Sequence, residues 1–260
     1  MNALLPALLA AAAFDGQAAL RHASALAALG PHPWGSPRAL AAAQYVAVQL
    51  RDAGLAASAA AGTVTGRVEV LDKGGRRLTD LSDVVVYVDG AHAKPRPAAH
   101  ATVTMKGKAF TPRVLVVGVG TTVDFPNEDP IFHNVFSVSG DNRFDLPLYK
   151  RPKSGSWTFL HPGLARVYCN IHPQMSAVVL VRDNPFFTKA APDGSFSLEG
   201  VPAGLYTLKA WHERGGETSA EVVVPADGRV AGDLHLDASA YKQVPHKNKF
   251  GKDYSTDEKY

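Results

Sequence analysis

Tyr168-Cys169-Asn170-Ile171-His172-Pro173-Gln174-Met175 places the single cysteine of the chain, a histidine and a methionine in one short stretch. The flanking runs, residues 166–168 and 177–181, are rich in apolar, β-branched and aromatic residues apart from Arg166, and read as strands. Cys169, His172 and Met175 then occupy a loop between adjacent strands, where soft and borderline donor atoms can turn toward one point. A fourth donor must come from elsewhere, and His133, followed by Asn134 at the start of a strand over 135–139, is the natural supplier. With one cysteine there is no intrachain disulfide, so Cys169 is either a small buried hydrophobe or a ligating or reactive thiol.

Two imidazoles and one thiolate with a weak axial thioether are the donor set of a blue-copper centre. Thiolate stabilises Cu(I), imidazole serves both oxidation states, and a distant Met sulfur tunes the potential without enforcing a square geometry. Such a set leaves no open position for substrate. It therefore points to outer-sphere transfer of single electrons to and from a redox partner protein, and to a chain that is not an enzyme. The plainer alternatives are an inert buried thiol and a structural zinc site, which would ask for more cysteines. Cys-x-x-His alone is a weak signal, but Cys-x-x-His-x-x-Met with an upstream His-Asn favours one type 1 copper ion. The rival function is a cell-envelope copper-binding or structural module without redox turnover.

Outward from this loop the period stays at two. Val64, Val68 and Val70 share a face opposite Arg67 and Glu69, and Val84, Val86 and Val88 repeat the pattern before the Asp89-Gly90 turn. Further strands are expected over 101–105, 113–117, 121–125, 157–160 and 205–211, with a hairpin at Asp193-Gly194. A last strand pair is expected over 221–224 and 230–235, across Asp227-Gly228. Short strands at this spacing indicate an all-β chain of sandwiches or barrels.

The N-terminal part differs. Residues 17–55 read as two helices, the second opened by Ser36 and Pro37, with Leu40, Ala43, Ala47 and Leu50 on one face. Residues 3–13 are apolar and end in small residues before Phe14, which suits an export signal over 1–13 and a periplasmic or secreted protein. That run is too short to span a bilayer, and no transmembrane segment is expected. A formal net charge of +3 is too small to suggest nucleic acid as a partner.

The stretch from Met105 to Val181 resembles the cupredoxin family in its plastocyanin and amicyanin branch. The resemblance is carried by Phe110-Thr111-Pro112, Gly120-Thr121-Thr122-Val123, Phe125-Pro126-Asn127-Glu128-Asp129, His133-Asn134 and Cys169 to Met175. The two residues between His172 and Met175 match the short amicyanin-like loop. The resemblance implies His133, Cys169, His172 and Met175 as copper ligands, Asn134 as a residue fixing the ligand loops, and His172 as the edge through which electrons pass. Longer relatives often carry a methylamine-utilisation label, which here would imply only a redox partner.

Two more resemblances are local. Residues 62–90 and 186–236 look like the halves of a carboxypeptidase regulatory-like β-sandwich, most clearly at Asp193-Gly194-Ser195-Phe196 and Val201-Pro202-Ala203-Gly204-Leu205-Tyr206. Residues 21–55 resemble the segment preceding the catalytic domain of secreted bacterial zinc aminopeptidases, although no matching metal cluster follows. The expected architecture is a cupredoxin Greek-key β-barrel inserted in or adjacent to an immunoglobulin- or prealbumin-like β-sandwich, after a short helical region. The expected divisions are 1–13 signal, 14–61 helices and linker, 62–99 with 184–237 sandwich, 100–183 copper domain and 238–260 flexible tail. His161 reads as a turn residue, His212 as a surface or edge histidine, Trp157 and Phe159 as core, and Asp124, Glu128 and Asp129 as strand-end and turn residues.

Overall fold

The period-two runs are strands in the computed structural model of the protein, which describes residues 16–28, 42, 45, 61–91, 93, 99–225 and 228–254. Two units separate, 1–58 and 59–260. In the first, α1 (Gly16–Ala28) is helical, and His22 Nδ1 lies 2.7 Å from the Tyr45 hydroxyl. The export segment, most of the second helix, most of the linker and Asp227 lie outside the described residues.

The second unit opens with β1 (Ala61–Leu71) and β2 (Val85–Asp89). Then come β3 (His100–Thr102), β4 (Thr104–Lys106), β5 (Ala109–Thr111), β6 (Val114–Gly118), β7 (Thr121–Pro126), β8 (Phe136–Ser139), β9 (Asn142–Asp145), β10 (Ser154–Phe159), β11 (Gly163–Tyr168) and β12 (Ser176–Arg182). It closes with β13 (Phe187–Lys189), β14 (Ser195–Pro202), β15 (Gly204–His212), β16 (Gly216–Val224), β17 (Arg229–Ala231) and β18 (Leu234–Asp237).

The first two and last six strands pair with each other. β1 lies antiparallel to β14 and parallel to β17 and β18, and faces a sheet of order β13-β2-β15-β16. Between the sheets Val64, Val68 and Val70 meet Val86, Val88, Leu208 and Val222 in one buried core. The Asp193-Gly194 turn needs its glycine: φ is +84°, and a Cβ there would stand 2.3 Å from the Val68 carbonyl oxygen.

Strands β3 to β12 form the insert. Its sheets run β6-β12-β11-β8-β9 and β10-β7-β3, with β4 and β5 as a separate hairpin. They enclose a second core that includes Val103, Met105, Phe125, Phe159, Val167 and Val179. The hydrogen bonding leaves two open sheets facing each other, so the expected barrel is not closed. The hairpin that decides the site is β11–β12, in register from Gly163↔Val181 to Tyr168↔Ser176, which leaves residues 169–175 as its loop.

β2 and β12 are buried on both faces. Val86 and Val88 fill the sandwich core, while Val85 and Tyr87 meet Val114, Val178 and Leu180 of the insert. Likewise Ala177, Val179 and Val181 point into the insert. The seam is edged by polar contacts: Glu213 pairs with Arg113 and Arg166, and Lys189 Nζ donates to the Val114 carbonyl at 2.9 Å.

One pairing differs from expectation. Residues 221–224 do not pair with 230–235; β16 pairs with β15, and β17 and β18 join β1. The chain crosses between sheets after Val224, which lets Val222 and Val224 from one side and Leu234 and Leu236 from the other fill the same core. Beyond β18, in the segment expected as a flexible tail, Ala238 N–H donates to the Leu71 carbonyl at 2.7 Å.

Candidate metal centre

Three donors converge where the ends of the insert's strands meet. His133 Nδ1, Cys169 Sγ and His172 Nδ1 all lie within 4.8 Å of one another, and all three residues are buried. The two imidazole nitrogens are 2.9 Å apart, and the sulfur stands 3.9 Å from His133 Nδ1 and 3.6 Å from His172 Nδ1. Donors bound at about 2.0–2.3 Å to a single ion stand roughly 3–4 Å from each other. The donor set and its spacing therefore fit copper, which takes mixed thiolate and imidazole ligation.

The loop is tied to itself. Cys169 N–H donates to the Met175 carbonyl at 3.3 Å, and Met175 N–H to the His172 carbonyl at 2.9 Å. These bonds wind the chain so that Cys169, His172 and Met175 all turn inward. Met175 is fully buried in the same core as Cys169. Asn134 braces the loop from the neighbouring segment: its Oδ1 accepts the Asn170 N–H at 2.7 Å.

His133 is placed by β-pairing and by a carboxylate. Its backbone exchanges hydrogen bonds with Tyr149, at 3.0 and 2.9 Å. Its Nε2 lies 2.9 Å from Asp129 Oδ2. A carboxylate accepts only, so Nε2 carries the proton and Nδ1 is left bare toward the other donors. Asp129 also accepts the N–H groups of Gly107 at 2.7 Å and Lys108 at 2.9 Å. Burial pushes its pKa up, but the Lys108 and Gly107 N–H groups and His133 outweigh it and hold the carboxyl below the ordinary range. Asn127 completes the support: its side-chain oxygen accepts the Asp129 N–H, and its amide donates to the Ile131 and Tyr149 carbonyls.

The protonation states suit ligation. Burial, and then the neighbouring His133, lower the pKa of His172 and keep its imidazole neutral. Burial raises the Cys169 thiol, partly offset by backbone N–H groups of Ile171, Asn134 and His172 directed at the sulfur. Without a cation the thiol holds its proton, so metal uptake must release it.

The other residues singled out in the sequence lie apart. His161 is exposed, and its carbonyl accepts from the Asn142 amide. His212 is buried in the outer sandwich rather than at a surface or edge, because β15 turns it inward beside Ala210's face of the sheet. Trp157 stacks on Phe144 with centroids 5.1 Å apart, and Phe159 is fully buried in the insert core. Asp124 bonds Ser156 and His100, and Glu128 pairs with Lys106. Asp129 is the residue that sequence reasoning missed. Its spacing of four from His133 was the available signal.

No family model matches the chain, and no curated protein matches it. Solved structures do. A copper-containing nitrite reductase from Thermus scotoductus SA-01 is 33% identical over 37% of this chain, with a TM-score of 0.31. This chain spans only 25% of that reductase's length. A purple cupredoxin from Nitrosopumilus maritimus is 24% identical over 32% of this chain and 99% of its own, at a TM-score of 0.29. A Cu(I) structure of an amicyanin mutant is 28% identical over 32% of this chain and 82% of its own, at 0.31.

One of these matches is a reductase, which runs against the expectation that the chain is not an enzyme. Among the described residues, no helix is long and apolar enough to cross a membrane.

Proposed function

We propose that His133, Cys169 and His172 of the insert, with Met175 as a weaker fourth donor, would hold one type 1 copper ion, and that the protein carries single electrons between redox partners. The observation that carries this reading is the convergence of three buried donors within 4.8 Å. Bound there, copper supplies a one-electron couple. The chain's own residues do the rest: the Asp129 carboxylate fixes the His133 tautomer, Asn134 holds the loop, and the apolar core excludes water. Of the two imidazoles, His172 keeps 7% exposure while His133 has none, and Pro173 and Gln174 beside it are exposed. Electrons are proposed to pass at that edge. The outer strands are read as a carboxypeptidase regulatory-like sandwich, with the insert over 100–183 and the sandwich over 62–99 and 184–237. A periplasmic or secreted location fits the apolar N-terminal run.

Adding Cu(II) to the purified protein is expected to give an intense blue thiolate-to-copper band. Wild type without colour, or colour surviving in Cys169→Ser, refutes the assignment.

A further inference from the structure

The last described residues of the chain lie on the loop that carries three of the proposed donors. The Tyr254 hydroxyl donates to the Cys169 carbonyl at 2.9 Å. His246 Nε2 stands 2.7 Å from the Pro173 carbonyl oxygen, which only accepts, so this nitrogen carries its proton. Lys249 N–H donates to Asn170 Oδ1 at 3.0 Å, and its ammonium reaches Asp145 at 2.7 Å. The His246 ring stacks on Tyr168 with centroids 3.9 Å apart and planes 17° apart, and Tyr254 meets it edge-on at 5.1 Å.

These contacts complete a set that the loop begins. Its own bonds use the Cys169 and Met175 N–H groups, and Asn134 takes the Asn170 N–H. The Cys169 and Pro173 carbonyls and the Asn170 side chain are engaged by a segment 73 to 85 residues further along. That segment has no strand or helix after β18. Ordering an irregular stretch costs about 1–2 kcal/mol per residue in backbone entropy. Contacts must offset this, and those found here fall on the residues around two donors.

We propose that residues 246–254 form a latch on the donor loop, in which Tyr254 and His246 are positioning residues that keep Cys169 and His172 in ligating geometry. The inference rests on the copper reading for its purpose, but the latch itself is tested without metal. Tyr254→Phe removes the hydrogen bond to the Cys169 carbonyl and the 3.3 Å contact with His246 Nδ1 and keeps the ring; His246→Ala removes the stack, the Pro173 contact and the contacts with Tyr254. Val244→Ala, at a residue 80% exposed, is the control.

Amide hydrogen exchange of the full-length, metal-free protein is the primary measurement. In Tyr254→Phe, exchange within 169–175 is expected to rise about fivefold, the worth of one net hydrogen bond. His246→Ala is expected to give a larger rise, and Val244→Ala none. In copper-loaded protein, Tyr254→Phe is expected to lose metal to a Cu(I) chelator faster by a similar factor. Loop exchange unchanged in both variants, or raised equally across β14–β16, overturns the latch. A localised rise in a wild-type background that never turns blue supports the latch and overturns the copper reading alone.

Discussion

Replacing Asp129 by Asn tests whether the carboxylate beneath His133 prepares the metal site or only shapes a turn. Asp129 Oδ1 accepts the Gly107 N–H, and Oδ2 accepts both the Lys108 N–H and His133 Nε2–H. An amide offers one oxygen in place of two and presents an N–H2 group to donors. At least one of the three bonds is therefore lost and the others lose their charge assistance. Hydrogen bonds to a charged group contribute about 1.5–3 kcal/mol each, so the metal-free protein should lose about 2–4 kcal/mol of stability. Loss of a carboxylate that orients a ligating histidine typically costs about 10–100-fold in metal affinity. Thermal unfolding of metal-free protein gives the first quantity, and competition with a Cu(I) chelator the second. Asp124→Asn is the control: that carboxylate is also held low, by Ser156 and His100, yet it is away from the donors. Its loss should cost no more than about 1 kcal/mol. The sign with pH follows from the lowered pKa of Asp129. Its stabilisation is complete above the ordinary carboxylate value and is lost as pH falls through the folded value, and the Asn variant should lack that part of the acid sensitivity. Copper affinity within twofold of wild type in Asp129→Asn would refute the reasoning, whatever happens to stability.

Asn134→Ala should leave the Asn170 N–H without its acceptor, costing about 1–3 kcal/mol and shifting the visible copper band, as read by melting and absorbance. Leu180→Ala opens the seam between sandwich and insert, on the face of β12 turned away from the donors. It should cost about 2–5 kcal/mol by denaturant unfolding while leaving the copper band in place. His212 is held neutral by burial, so the folded state binds fewer protons there than the unfolded chain. Stability of the metal-free protein should be full above about pH 6.5 and fall as pH drops below it, and His212→Leu should flatten that slope in melts from pH 7 to 5.

The loop of the proposed donors stood out in the sequence because its pattern is local. Cys169, His172 and Met175 lie on one turn between strands, and a sequence pattern can show that. His133 was singled out by residue type and position before a strand, and the fold brings it beside Cys169 and His172. Asp129 was not, because a carboxylate in a Pro-Asn-Glu-Asp stretch is also what an ordinary turn contains. Only the tertiary fold brings it onto His133 Nε2. The alternation at Val84, Val86 and Val88 fixed one face of β2. The continuous run Val84-Val85-Val86-Tyr87-Val88 was the sign that both faces are covered, which a period-two reading discards. Where β17 and β18 pair could not be read locally, since parallel pairing with β1 depends on a partner far back in the chain. The contacts of residues 246–254 were hidden for a different reason. Polar, Lys-rich composition describes a solvated tail as well as a segment held by carbonyls and an aromatic stack.

The nested topology also sets an order of assembly. Arg67 on β1 meets Asp193 only 126 residues later, and β14 to β18 follow the whole insert. As the chain is made, β1 and β2 emerge first and must wait with unpaired edges and the run from Val84 to Val88 uncovered. The insert's own core, from Val103 to Val181, is contiguous and can close in the meantime. The return of the distant strands is then expected to be the slow step in refolding kinetics, because long-range pairing carries the largest loop-closure cost. A newborn chain of this protein is thus expected to be most prone to aggregate while the insert is already closed and its outer shell still open.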